Sequence, residues 1–324
     1  MQIISLDIHA LPTLPPLTLT IGNYDGVHLG HQALLSALID DAKRMSLASA
    51  VMVFEPQPRE FFNPQNPPPR LTSLPEKAAQ IAKLGIDYLL VASFDEAFRS
   101  LSAQDFVQLL NNLTVRHLVL GDDFRFGHDR TGDQAFLLQS GLSVDNLHSV
   151  VAAGVRISSS LVRKALAVGD LQRAKVLLGR DYDITGEVLH GDKIGRTLDF
   201  PTANVALSRQ KPALHGVLAA DVIAYQDGQK IDWQALGAGG VAGLSAGSLF
   251  GAASIGLRPS VNGTDWRLEV HLPKFSGDLY GVTLQVIFRH FLHGERHYDS
   301  LAALKSGIEQ DVQSLLDWRD GQMI

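Results

Sequence analysis

The chain contains no cysteine. A disulfide framework and a thiolate metal site are therefore excluded, which is compatible with a reducing, cytoplasmic location. Long apolar runs are missing too: no stretch of about 18 apolar residues could span a bilayer, and Met1 to Leu17 lacks the cationic segment and apolar core of a secretory signal. Neither a membrane partner nor export is expected. The third absence is a basic excess. A formal net charge of −6 argues against nucleic acid as a partner, while a small nucleotide held by a few local cations stays compatible. What is present, 45% hydrophobic and 19% charged residues over 324 positions, describes a globular chain long enough for two domains.

One stretch organises the rest. An apolar run, Leu17-Thr18-Leu19-Thr20-Ile21, leads into Gly22-Asn23-Tyr24-Asp25-Gly26-Val27-His28-Leu29-Gly30-His31, after which Leu34, Leu35, Leu38, Ile39 and Ala42 fall at helical spacing. This reads as strand, glycine-rich turn and helix start. Gly22, Gly26 and Gly30 permit close backbone approach, and a helix N-terminus offers unpaired N–H groups and partial positive charge to a phosphate. His28 and His31 add imidazole donors, although such a pair is equally compatible with a metal site, a helix cap or chance.

Strand and helix patterns then alternate: a fully apolar strand at Ala50 to Phe54, helix from Glu76 to Leu84, strand from Ile86 to Val91, helix from Ala103 to Leu113, strand from His117 to Leu120 and helix from Asp133 to Gln139. Alternation of this kind implies crossover connections and a doubly wound parallel sheet whose ligands bind beyond the carboxyl ends of its strands. Those ends carry Phe54-Glu55-Pro56-Gln57-Pro58-Arg59-Glu60, followed by the proline-rich Pro64 to Pro69, and the charged, glycine-spaced loop Gly121 to Asp133, which includes Asp123, Phe124 and Phe126. That loop suits closure over a charged, planar ligand. Ile157-Ser158-Ser159-Ser160-Leu161-Val162-Arg163 opens another helix with hydroxyls that can cap it or donate to phosphate.

Gly179-Arg180-Asp181-Tyr182 marks a change of regime. From Ile184 strands dominate, and Val282, Leu284, Val286 and Phe288 alternate with polar neighbours as in a strand with one buried face. This half reads as a small antiparallel barrel, followed by a helix capped by Ser300. Gly191-Asp192-Lys193-Ile194-Gly195-Arg196 can cradle phosphates, although its spacing is not that of a Walker loop. Thr202 and Asn204, two apart in an extended segment, offer oxygen ligands to Mg²⁺; an exposed turn and strand edge is the plainer reading. Arg267, Glu269 and His271 share a strand face opposite Trp266, Leu268, Val270 and Leu272. The glycine- and alanine-rich stretch Ala235 to Ala253 is expected to be a flexible insertion in a hairpin.

The stretch Gly22 to His31 resembles the Gly-x-Phe-Asp-x-x-His-x-Gly-His signature of the nucleotidyltransferase superfamily, with Tyr24 in place of Phe. With the stations at Phe54 to Glu60, Gly121 to Gly132 and Ile157 to Arg163 it is similar, in order and spacing, to the FAD synthetase module of the bacterial bifunctional riboflavin kinase/FAD synthetase family. The motifs from Gly195-Arg196 to Phe200-Pro201-Thr202-Ala203-Asn204, together with Ile255-Gly256, Arg258-Pro259, Glu269-Val270-His271 and Phe275 to Gly281, resemble that family's riboflavin kinase domain.

The resemblance implies a domain for adenylyl transfer to FMN over residues 1–180 and a riboflavin kinase domain over 181–324, with riboflavin, FMN and ATP as substrates and Mg²⁺ as cofactor. It implies that His28 and His31 act on the ATP phosphates, that Gly22, Asp25, Gly30, Asp123, Ser159 and Ser160 border the nucleotide, and that Arg163 supports the leaving pyrophosphate. In the kinase half it implies phosphate binding by Gly191, Lys193, Gly195 and Arg196, Mg²⁺ on Thr202 and Asn204, and Glu269 as the group that orients or deprotonates the riboflavin hydroxyl. The departures are Gln57 for His, Ser160 for Thr, Asp199 for the usual Gly, Ser260 for Thr and His293-Gly294-Glu295 for a more acidic, arginine-led triplet. Two other readings stay open: an adenylyltransferase with a weakened kinase half, and a binding protein without turnover.

Overall fold

In strand β3 (Ala48–Glu55) neighbouring side chains enter different cores, Ala50 and Met52 on one face of the sheet and Val51 and Val53 on the other. A strand buried on both faces belongs at the centre of a parallel sheet covered by helices on both sides. The computed structural model, which describes residues 1–147, 151–152, 155–190, 199–260 and 263–323, bears this out. It comprises two compact units, Met1–Pro68 with Leu74–Ser159, and Pro69–Ser73 with Ser160–Ile324.

In the first unit six strands pair in the order β1-β4-β3-β2-β5-β6, all parallel, with β1 at Gln2–Leu6, β2 at Leu17–Ile21, β4 at Tyr88–Ser93, β5 at Val115–Gly121 and β6 at Ser143–Leu147. The chain leaves β2 toward β3 and later returns to β5 on its other side, so the order reverses between β2 and β5. A crevice forms at such a reversal. The helices are α1 (Leu29–Met45), α2 (Pro58–Phe62), α3 (Leu74–Ala82), α4 (Glu96–Arg99), α5 (Ala103–Asn112) and α6 (Gln134–Gln139). Leu35, Leu38 and Ala42 of α1 are buried, at the spacing read from the sequence. Edge strands β1 and β6 were not anticipated: Ser143-Val144-Asp145-Asn146-Leu147 buries only Val144, too little for an apolar signal. Short strands β7 (Val151–Ala152) and β8 (Val155–Arg156) pair antiparallel. The Glu55–Pro56 peptide is cis.

The second unit contains most of α7 (Ser159–Ala167) and all of α8 (Leu171–Leu178), then strands β9 (Asp183–Leu189), β10 (Thr202–Val205), β11 (Gly216–Gln226), β12 (Gln229–Lys230), β13 (Gly237–Gly239), β14 (Leu249–Ser260), β15 (Gly263–His271), β16 (Phe275–Gly277) and β17 (Thr283–His293), and helix α9 (Leu301–Gly321). Strands β11, β14, β15, β10, β9 and β17 pair antiparallel in that order, and β17 pairs back onto β11. The result is a closed six-stranded barrel. Leu284, Val286 and Phe288 are buried, as their alternation predicts. Ser300 Oγ accepts the Ala303 N–H and starts α9, whose Leu315 packs on Ala219 and Phe250 of the barrel wall.

The stretch 235–253 corrects the expectation of a flexible insertion. Gly237 to Gly239 pair with Phe275 to Gly277, and Leu249 to Ala253 pair with β11. Its glycines answer crowding: a Cβ on Gly237 would lie 2.2 Å from the Ser276 carbonyl oxygen, and one on Gly243 would lie 2.5 Å from Asp221 Oδ1. Asp221, fully buried, accepts the Leu244 and Ser245 N–H groups at 2.7 and 2.8 Å and the Arg289 guanidinium at 2.8 Å. A composition typical of linkers here marks close backbone packing.

Candidate active sites

The turn between β2 and α1 is strained in a way the sequence does not announce. Besides Gly26, the side-chain-bearing residues Tyr24 and Val27 have positive φ, 48° and 41°, conformations that persist only where surroundings enforce them. The Tyr24 hydroxyl hydrogen-bonds Thr20 Oγ1 at 2.6 Å, and burial pushes its phenol above the ordinary range, that bond opposing. His28 is the N-cap of α1, its Nδ1 accepting the His31 N–H at 3.2 Å, and the two rings stack with centroids 3.6 Å apart. Gly30 lies close against this stack, a Cβ there sitting 3.2 Å from the His28 ring and forcing it to shift by a few tenths of an ångström. Ser159 Oγ donates to the Asp25 carbonyl at 2.8 Å and ties down the turn.

These groups open on a cavity of about 650 Å³ lined by Gly22, Tyr24, His28, Gly30, His31, Asp123 and Ser159 among others. It lies at the carboxyl ends of β2, β5 and β6, where the strand order reverses. Asp25 is buried and does not line it, its backbone oxygen serving Ser159 instead. Of the two aromatics in the charged loop, Phe124 lines the cavity and Phe126 is buried core. Arg125, Arg130 and Arg156 also line the cavity, surrounding it with cations suited to a polyphosphate. Arg156 was not singled out from the sequence; its signal is a lone basic residue just before the serine-rich helix start, 3.3 Å from Asp123. Arg125 pairs with Asp133 at 2.7 Å, and the Phe136 N–H, with Arg125, holds the Asp133 carboxyl below its usual range. Ser160 and Arg163 belong to the second unit, where Arg163 Nε donates to the Pro69 carbonyl at 2.6 Å.

On the barrel, Asn204 of β10 lies directly opposite Glu269 of β15, and Thr202 opposite His271. Residues opposite one another share a sheet face, so Thr202, Asn204, Glu269 and His271 stand together. Ser254 of β14 flanks Glu269 on its other side. His271 Nδ1–H donates to the Pro201 carbonyl at 2.9 Å, and burial lowers the pKa of its ring, that bond opposing. Asp199 has φ 69°, the left-handed conformation that favours the glycine it replaces, and its carboxylate meets Lys305 of α9 at 2.6 Å. His293 likewise has a structural partner, its Nε2 lying 2.9 Å from Asp311 of α9. Gly191, Lys193, Gly195 and Arg196 lie outside the described residues.

Two family profiles match the chain, FAD synthetase over residues 12–161 and riboflavin kinase over 178–318. Curated relatives extend over both regions. The bifunctional riboflavin kinase/FMN adenylyltransferase of Escherichia coli (strain K12) is 42% identical over 312 residues, covering 94% of each chain. The enzyme of the same description from Pseudomonas fluorescens is 45% identical over 300 residues, 90% of each chain, and that from Haemophilus influenzae is 41% identical over 321 residues, 97% of this chain and 98% of its own. Among solved structures, one described as a macrolide-efflux protein from Streptococcus pneumoniae superposes with a TM-score of 0.74 at 25% identity, covering 98% of this chain and 99% of that one. Among the described residues no helix is long and apolar enough to cross a membrane.

Proposed function

Because the chain belongs to the bifunctional riboflavin kinase/FMN adenylyltransferase family, we propose which of its residues carry each of the two reactions. The enzyme phosphorylates riboflavin with ATP and adenylates the resulting FMN with a second ATP. We assign adenylyl transfer to residues 1–180 and phosphorylation to 181–324, and place both in the cytoplasm, the compartment that supplies ATP.

In adenylyl transfer an oxygen of the FMN phosphate attacks the α-phosphorus of ATP, and the bond to the bridging oxygen breaks to release pyrophosphate. His28 accepts at Nδ1 and so carries its hydrogen at Nε2 when neutral. That N–H and the His31 ring donate to the triphosphate at the start of α1, where the helix adds partial positive charge. Gly22 and Gly30 admit the phosphates, Asp123 and Ser159 border the nucleotide, and Asp25 holds the turn through Ser159. We assign Ser160 and Arg163, on their places in the serine-rich motif, to the nucleotide and the leaving pyrophosphate.

In the kinase reaction the riboflavin 5′-hydroxyl attacks the γ-phosphorus and ADP leaves. The observation that carries the assignment is the placement of Asn204 directly opposite Glu269, with Thr202 on the same face. A hydroxyl, an amide oxygen and a carboxylate are hard oxygen donors that fit Mg²⁺. Thr202 and Asn204 would hold the ion, which would supply charge neutralisation at the phosphates. Glu269 accepts the hydrogen of the attacking hydroxyl, and the loop 191–196 holds phosphate through Gly191, Lys193, Gly195 and Arg196. Neutral His271, fixed by Pro201, adds no positive charge to this face. The test is Thr202→Ala: the Mg²⁺ concentration needed for riboflavin phosphorylation rises, while FAD formation from supplied FMN keeps its wild-type Mg²⁺ dependence. An unchanged Mg²⁺ requirement for phosphorylation removes Thr202 from the metal site.

A further inference from the structure

His117 of β5 is almost completely buried, at 2% exposure, in the first unit. It lies on neither proposed reaction path. Its Nδ1 is engaged with Ser143 Oγ at 2.9 Å, whereas its Nε2 is buried and makes no hydrogen bond. That nitrogen faces two carboxylate oxygens, Asp41 Oδ2 of α1 at 3.4 Å and Asp145 Oδ2 of β6 at 3.6 Å. The register explains the meeting: His117 pairs with Ser143 and Val119 with Asp145, so His117, Ser143 and Asp145 share the face on which α1 lies.

We propose that His117, Asp41 and Asp145 form a site for a divalent transition-metal ion of the zinc class, separate from the nucleotide cavity, which none of the three lines. With Nδ1–H donating to Ser143, Nε2 presents a lone pair to two anionic oxygens, an arrangement that a cation between them resolves. The spacing fits. Tetrahedral Zn²⁺ with bonds of about 2.0–2.1 Å sets its ligand atoms about 3.3–3.5 Å apart, against the observed 3.4 and 3.6 Å. The hydrogen bond to the second imidazole nitrogen is the outer contact that fixes the tautomer of metal-binding histidines.

Arg44 plays the same part for Asp41. Its Nη2 lies 2.5 Å from Oδ1 and 3.8 Å from Asp145 Oδ2, leaving Asp41 Oδ2 directed at His117. Two carboxylates and one guanidinium leave one net negative charge for the ion. An imidazole ligand selects against Mg²⁺ and Ca²⁺, and Asp145, 59% exposed, provides entry and room for water at the remaining position. Bound there, the ion would tie the last turns of α1 to β5 and β6.

The test uses the full chain, stripped with EDTA, dialysed and titrated without nucleotide with Co²⁺, whose visible absorption reports four-coordinate binding, and separately with Zn²⁺ by calorimetry. One ion per chain is expected for the wild type and for the His28→Ala/His31→Ala double variant. Ser143→Ala should weaken binding about 10- to 100-fold. His117→Gln should abolish it, and so should Asp145→Asn, which changes an exposed side chain and keeps the test valid if His117→Gln does not fold. Zn²⁺ should raise the unfolding temperature of the wild type and leave that of Asp145→Asn unmoved. The proposal is overturned if the wild type takes up no ion, if Asp145→Asn binds as the wild type does, or if binding disappears only in the His28/His31 variant.

Discussion

The His28 and His31 rings stack 3.6 Å apart at an interplanar angle of 14°, and the His31 backbone N–H is capped by His28 Nδ1. One side chain thus starts the helix and, in the mechanism we propose, offers its other nitrogen to the substrate, two roles that mutation should separate. His28→Ala should lower stability by about 1 kcal/mol through loss of the cap and slow FAD formation from FMN about 10²- to 10³-fold. His28→Asn keeps a capping oxygen and should recover the stability without the rate. Urea titrations alongside FAD assays check this; recovery of both by Asn would make His28 a cap only.

Asp221 joins the loop around residues 243–245 to the barrel wall through two backbone N–H groups and Arg289. Asp221→Asn removes one of the two carboxylates that Arg289 pairs with, Asp181 remaining, and should cost about 1–3 kcal/mol, measured by urea unfolding. Protease cleavage near Gly243 should also become faster. A loss below about 1 kcal/mol, the average for any substitution, would mean that the buried pair does not hold the loop.

The doubly wound sheet, the barrel and the capped last helix were legible because each depends on local periodicity: Ala50 to Phe54 without polar interruption, Leu284, Val286 and Phe288 at alternate positions, Ser300 before an apolar helix face. The glycine-spaced turn with His28 and His31 was legible for the same reason. What stayed hidden depends on distant partners. Strand β6 carries one buried apolar residue and exists because β5 pairs with it. The stretch 235–253 looks like a linker because its order comes from Asp221 and β16, neither adjacent in sequence. The facing of Asn204 and Glu269 follows from the β10–β15 register, which no spacing in the sequence encodes.

The pH dependence of stability should show His271. Burial lowers its pKa in the folded chain, so the folded state binds the proton less readily than the unfolded state. Its contribution is then fully present above the unfolded value of about 6.5 and is lost as pH falls through the lower folded value. Wild-type stability should therefore decline on acidification below about pH 6.5 more steeply than that of His271→Gln. Urea unfolding across a pH series measures the difference; parallel curves would contradict it.

Asp199 should be tolerated by the kinase, since Lys305 already pairs with it at 2.6 Å. Asp199→Gly relieves a left-handed backbone conformation worth about 1–2 kcal/mol and should leave riboflavin phosphorylation within about twofold of wild type, the scale of a surface change. A many-fold rise in turnover would instead show that the Asp199 charge restrains the kinase half.

We propose that two independent constellations, His28 with His31 and Glu269 with Thr202 and Asn204, divide the two reactions. The most direct measurement is chromatographic product analysis of His31→Ala and Glu269→Gln, each given riboflavin or FMN with ATP and Mg²⁺. His31→Ala should convert riboflavin to FMN at the wild-type rate and stop there. Glu269→Gln should be slowed about 10²- to 10⁴-fold in making FMN, as for loss of a general base, yet turn supplied FMN into FAD normally. Loss of both products in either variant, or wild-type FMN production by Glu269→Gln, would contradict the division.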